Sequence, residues 1–406
     1  MTTSPHRSVE GTRWTRQLVA AAGCALFGVL VHLTSRYLPV QLDAIGLGIG
    51  VIGAAFLLGW AADAGEAVFS GGLVLAVIAL VTVLPEFVIE MRFAYSQQTQ
   101  LVTANLTGAT RLLLTGATAL PLVIGFMARR RGRAATSFQL ATTRRLELGI
   151  LLITACFAIQ IVAFRALTLL DGVILVALYI LYARRIRGTP EEEPATLGVP
   201  AGLVSLPRRY RGPAIAALIL VAAVVVVAIA NPFADALLAS GTSLGMDPYY
   251  LIQSVVPVAS EAPEFVVVAV LVANRRPAQG LAVFLASSVS QWTLAFGALP
   301  FAYLAGGGGS SIPMTAHEEL QVGFTIALTL FAVAALVTLR PERPDAALVA
   351  GLVAIQLIYP TAFVHVAATF VLVVFAITLL IDRRRAVRPL FRAVFGFPDG
   401  RDRGRV

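Results

Sequence analysis

Residues 81–87 read Val-Thr-Val-Leu-Pro-Glu-Phe, and residues 259–265 read Ala-Ser-Glu-Ala-Pro-Glu-Phe. Each Pro-Glu-Phe lies deep inside an apolar run. A stretch of mostly small residues follows each one: Ala104-Asn105-Leu106-Thr107-Gly108-Ala109-Thr110 in the first half, Phe284-Leu285-Ala286-Ser287-Ser288-Val289-Ser290-Gln291 in the second. Glu86 precedes Gly108 by 22 residues, and Glu264 precedes Ala286 by the same 22. Two similar units with equal internal spacing mark a repeat. A carboxylate near the middle of a membrane costs roughly 2.5–3.5 kcal/mol on insertion scales, so a function is its default reading. The proline before each glutamate removes a helical hydrogen bond and frees a carbonyl one turn earlier. A freed carbonyl beside a carboxylate is the hard-oxygen environment that cations such as Ca2+ take.

The runs around these motifs are apolar because the whole chain is. Of 406 residues, 58% are hydrophobic and only 13% charged, and the mean hydropathy is +0.84. A water-soluble globule of this size could not hide so much apolar side chain, and a disordered or collagenous chain has a different composition. The composition therefore predicts an all-α, polytopic membrane protein. Twelve runs are long enough to cross about 30 Å of hydrocarbon. They cover 17–36, 43–68, 70–94, 99–128, 147–165, 167–183, 213–239, 247–273, 279–305, 319–339, 346–361 and 363–382. The first could pass for a signal peptide, but it reads better as a retained helix, since removing it spoils the charge pattern.

The net charge of +9 and the pI near 10.2 would suggest nucleic-acid binding in a soluble protein. Here the charges sit in short loops, and all 31 basic residues are arginine. With the N-terminus in the cytoplasm, 27 of the 31 fall on the inside; Arg36, Arg92 and Arg165 fall outside, and Arg111 lies within a span. This is a strong positive-inside bias. It places both termini in the cytoplasm of a plasma or bacterial inner membrane, with lipid as the surrounding partner and no nucleic acid. The basic tail after residue 383 reads as a cytoplasmic topology signal. Cys24 and Cys156 lie in apolar runs and read as small hydrophobes.

The chain then divides into an N-terminal tail and first helix (1–42), a first repeat half (43–183) and a cytoplasmic linker (184–212). A second repeat half (213–361) and a last helix with its basic tail (362–406) follow. The span with Glu86 runs from inside to outside and the span with Glu264 from outside to inside, so the two units are inverted. Inverted repeats with broken helices and a midplane site are the build of secondary transporters.

The pattern resembles the sodium/calcium exchanger superfamily, the Ca2+:cation antiporters. Its repeats carry Gly-Thr-Ser-x-Pro-Glu and, about 20 residues on, Gly-Asn-x-x-Gly-Ser-Asn. Phe233-Ala234-Asp235-Ala236-Leu237-Leu238 is similar to the first helix of such a repeat, with Asp63 as its counterpart. The resemblance implies paired acidic ion ligands at Glu86 and Glu264 and hydroxyl ligands at Thr82 and Ser260. The family's next serine corresponds to Val83 in the first half and Glu261 in the second. The later serine corresponds to Ala109 and Ser287, and the Asn or Asp beyond it to Leu113 and Gln291. The first half has thus lost three oxygen ligands, and the second has gained a carboxylate.

The candidate metal ligands are therefore Glu86, Glu264, Glu261, Thr82, Ser260, Ser287 and Gln291. Glu90 lies one turn beyond Glu86. Arg111 either pairs with Glu86 or Glu90, as an ion pair or proton relay, or fills space where the family binds an ion. Asp63 and Glu66 read as interfacial, and His32 and His365 as packing residues. The expected activity is cation antiport, Ca2+ or another cation against H+ or Na+, with no permanently bound cofactor. A degenerate exchanger acting as sensor or scaffold is the alternative. An intramembrane enzyme would need a nucleophile–base pair, which the motifs do not supply. Clustered carboxylates in a low-dielectric site repel one another, so one of them favours holding a proton. That tilts the expectation from Na+ coupling toward H+ coupling.

Overall fold

The computed structural model describes residues 6–69, 84–130, 138–186, 197–359 and 361–396. It is helical throughout except for one short ladder, as the composition predicts. The chain forms two compact units, each drawn from both halves of the sequence: residues 1–93 with 190–266, and residues 94–189 with 267–406.

In the first unit, α1 (His6–Thr34) packs along α2 (Val40–Val68). Their contact is backbone on backbone: a Cβ added to Gly28 would lie 2.5 Å from the Gly50 Cα. Lipid is as apolar as leucine, so such close packing of small residues supplies the attraction between membrane helices. The helix α3 (Leu84–Tyr95) carries Glu86 in its first described turn. A short α7 (Val199–Val204) precedes the long α8 (Arg208–Ser243). Val199, Leu203 and Ile215 bury against Ala64, with Trp14, Trp60 and Phe69 around them. The next helix, α9 (Pro248–Ser260), starts at an N-cap: the Asp247 side chain accepts from the Tyr249 amide at 2.8 Å. Asp at this position satisfies a donor that the helix cannot. The chain then bends by 52° into α10 (Ala262–Ala273).

The second unit is built around α4 (Thr99–Arg130), α5 (Arg145–Phe164) and α6 (Leu169–Ile186). The helix α11 (Pro277–Ser290) widens into a π-turn at Gln291–Ala295 before α12 (Phe296–Ala305). The helices α13 (Ala316–Leu336), α14 (Arg343–Ile358), α15 (Ala362–Asp382) and α16 (Arg384–Phe395) complete it. The short ladder pairs β1 (Ala166–Thr168) with β2 (Ser311–Pro313), antiparallel, with Leu167 opposite Ile312.

Among the described residues, eight helical stretches are long and apolar enough to cross a membrane. The bent α9–α10 pair raises the number to nine. Much of the surface of α1, α8 and α15 is apolar and exposed, with Leu30, Val224 and Phe370 among the outward side chains. This is an integral membrane protein. Two of the twelve expected spans fall short of that test. The helix α6 carries Asp171, Arg184 and Arg185 near its ends, and α14 has only 16 residues. The expected span 70–94 lies partly outside the described residues.

Candidate cation site

The bend between α9 and α10 falls at Glu261. Proline 263 lacks an N–H, so the Ala259 carbonyl loses its usual partner one turn back. The Glu261 amide still donates to the Pro257 carbonyl at 2.9 Å, and the Phe265 amide to the Glu261 carbonyl at 3.2 Å. Glu261 itself is buried at the junction. Glu264 follows in the first turn of α10, where the helix dipole favours a negative charge. Its Oε2 atom is fully buried and has no hydrogen-bond partner among the described residues.

Glu86 is 3% exposed. Its carboxyl group lies close enough to Glu264 for the two to interact, and Asp63 is within electrostatic reach of Glu264. The Ser260 hydroxyl hydrogen-bonds Glu86 and also reaches the Val256 carbonyl at 3.0 Å. The fold thus brings Glu86, Ser260 and Glu264 together, from helices far apart in sequence. Asp63, which reads as interfacial in the sequence, lies within electrostatic reach of Glu264. It lies one turn beyond Gly59, whose face of α2 contacts Pro263: a Cβ on Gly59 would sit 3.6 Å from the proline. The four-residue spacing of Gly59 and Asp63 was the sequence signal for this. Asp235, which the resemblance matches to Asp63, pairs with Arg92 at 2.7 Å. Glu90 is completely buried, one turn beyond Glu86. Thr82 lies outside the described residues.

The remaining candidates belong to the second unit. Gln291 is buried and opens the π-turn; such turns concentrate at functional sites. Its amide donates to the Ser287 carbonyl. Arg111 is buried on α4. Its Nε donates to the Thr325 hydroxyl at 2.9 Å and its Nη2 to the Gln321 carbonyl at 2.6 Å. Its guanidinium also lies over the Phe324 ring, 4.7 Å from the centroid. These contacts hold the cation against α13 from three directions. The polar face of α13 was not singled out in the sequence. Glu318, Gln321, Thr325 and Thr329 are all buried, and their spacing puts them in one stripe along the helix. Glu318 serves as half of a capping box, accepting the Thr315 amide at 2.6 Å, and Thr329 accepts the Trp292 indole N–H at 2.9 Å. The signal was there as a polar repeat every three to four residues inside an apolar span.

Among the described residues, no three His, Cys, Asp or Glu side chains converge as a ready-made metal cluster. What the first unit offers instead is a pair of neighbouring acidic side chains, Glu86 buried and Glu264 half-buried with one unmatched, buried oxygen.

Residues 39–185 match the family profile described as sodium/calcium exchanger protein. The crystal structure of the H+/Ca2+ exchanger CAX superposes with a TM-score of 0.87 at 28% identity, covering 95% of this chain and 98% of that one. The chain is similar to members of the sodium/calcium exchanger superfamily. More distant members share the exchanger fold. Native YfkE gives a TM-score of 0.59 at 14% identity over 88% of this chain and 99% of that one. The sodium-calcium exchanger NCX_Mj gives 0.50 at 18% identity, over 84% and 99%. No curated protein matches the sequence.

Proposed function

We propose that the chain is a secondary-active antiporter that exchanges Ca2+ for H+ by alternating access at Glu86 and Glu264, with both termini in the cytoplasm. The observation that carries this reading is the closeness of two acidic side chains inside the first unit, Glu86 buried and Glu264 with a buried, unmatched Oε2 atom. Such a pair is relieved by one divalent cation shared between them or by a proton on either, and these two forms of relief exclude each other. Competition for the same oxygens is what couples two opposed fluxes. Ser260 suits both states, since a hydroxyl donates to an ionised Glu86 and accepts from a protonated one. Glu261, at the bend, is the extra carboxylate. Thr82 is a further hydroxyl ligand in this scheme. The 28% identity to an H+/Ca2+ exchanger over almost the full chain supports H+ over Na+ as the coupling ion. The replacement of three neutral oxygen ligands by Val83, Ala109 and Leu113 supports the same choice.

The test is Ca2+ flux in proteoliposomes driven by a pH gradient with no Na+ present, in wild type and in Glu261→Ser. Uptake is expected in wild type, with altered dependence on the gradient in the variant. Flux that needs Na+ and ignores the pH gradient overturns proton coupling. Absence of flux under every combination of Ca2+, Na+, K+ and pH leaves the sensor or scaffold reading in its place.

A further inference from the structure

The last described helix, α16, differs in kind from the apolar spans. Its sequence is Arg-Arg-Ala-Val-Arg-Pro-Leu-Phe-Arg-Ala-Val-Phe. One face is buried: Leu390 and Val394 are fully inside, seated against Gly149 near the start of α5. A Cβ on Gly149 would lie 2.7 Å from a Val394 methyl and 2.9 Å from the Leu390 carbonyl. The helix is therefore docked on the protein along one side. Beside this buried face Phe391 and Phe395 are exposed, with Arg384 and Arg388 among them at helical spacing. Arg384, Arg385, Arg388 and Arg392 are all exposed.

The start of the helix is fixed too. Arg383 reaches the Ala334 and Ala335 carbonyls at 3.0 and 2.9 Å and Asp345 at 3.4 Å. Its charge is thus used internally, while the four that follow point outward. A cleft lined by Thr338 and residues 381–386, Asp382 included, opens at this N-terminal end. At the other end the Arg185 guanidinium lies against Gly396, and exposed Arg184 adds to the same basic edge.

We propose that α16 is an interfacial helix that binds anionic phospholipid headgroups, holding the end of the last span at the membrane surface. Exposed phenylalanines beside arginines match an acyl boundary with phosphates above it, because arginine buries its stem and lifts its charge to the headgroups. The inference rests on the orientation proposed above, which puts this end of the chain on the cytoplasmic side, where acidic lipids give the surface its negative potential. Charge complementarity therefore selects the anionic lipid over a zwitterionic one.

The experiment uses the purified full chain in mixed micelles, with phosphatidylglycerol or phosphatidylcholine added. Bound lipid is counted by native mass spectrometry, and the melting temperature is followed in parallel. Phosphatidylglycerol is expected to remain bound and raise the melting temperature, and phosphatidylcholine to do neither. Each of Arg384→Gln, Arg385→Gln, Arg388→Gln and Arg392→Gln should weaken phosphatidylglycerol binding by about fivefold. Raising NaCl to 0.5 M should erase the phosphatidylglycerol shift in unaltered protein, a readout that does not depend on any variant folding. Equal binding of both lipids, or a phosphatidylglycerol shift that survives salt, overturns the proposal. So does a quadruple variant that binds phosphatidylglycerol as before.

Discussion

The guanidinium of Arg92 meets the carboxylate of Asp235 at 2.7 Å and reaches the Asn231 carbonyl at 3.3 Å. The contact ties the end of the helix that carries Glu86 and Glu90 to the middle of α8. Both side chains are partly exposed, so the pair is worth at most about 1 kcal/mol of stability. Its expected value lies in restraining α3. Arg92→Gln and Asp235→Asn should each change the rate of Ca2+ flux by a similar factor, with the double variant no worse than either single one. Additive losses in that double-mutant cycle would show that the two residues act independently.

Glu86→Gln and Glu264→Gln keep the side-chain volume and remove the charge. Each should abolish Ca2+ flux in proteoliposomes while the protein still elutes as a single peak. Asp63→Asn removes a charge whose effect on Glu264 is weaker than that of Glu86, so a partial loss is expected. Full activity in Glu264→Gln would remove that residue from the site.

Pro263→Ala restores an amide donor for the Ala259 carbonyl. The 52° bend between α9 and α10 should then relax, because proline is a leading cause of such kinks. The variant should melt at or above the wild-type temperature and transport more slowly. Unchanged flux would show that the bend is set by other contacts.

Arg111→Lys should not behave as a conservative change. Lysine cannot reproduce two directed bonds to Thr325 and Gln321 together with stacking on Phe324. A stability loss of roughly 3 kcal/mol is expected from breaking a buried charged network, against about 1 kcal/mol for Thr325→Ala. Thermal melts of the two variants in the same detergent give the comparison.

Gly28→Val drives a side chain into the Gly50 backbone, where even a Cβ would come within 2.5 Å. The α1–α2 contact must then open. A lower melting temperature is expected, with protease cutting between residues 34 and 40 appearing before global unfolding. A melting curve identical to wild type would mean that α1 contributes nothing to the first unit.

The membrane character, the helices and the repeated Pro-Glu-Phe were legible in the sequence, because each depends on local chemistry. Transfer of an apolar run into lipid, the missing N–H of Pro263 and the cost of Glu86 or Glu264 in hydrocarbon do not depend on which helix lies alongside. The pairing of the two glutamates came from the resemblance between the two motifs. What the sequence left open depends on neighbours. Asp63 read as interfacial until the contact between Gly59 and Pro263 put its face of α2 beside the acidic pair. Asp235, the position the resemblance matches to Asp63, is bound by Arg92. Arg111 had two candidate glutamate partners in the sequence, and the fold gives it the Thr325 hydroxyl, the Gln321 carbonyl and the Phe324 ring of α13. The physical reason is that hydrophobic partition is non-directional and decides only that a helix enters the bilayer. Which polar groups meet inside is decided by directional bonds between helices, and those exist only once the helices have packed.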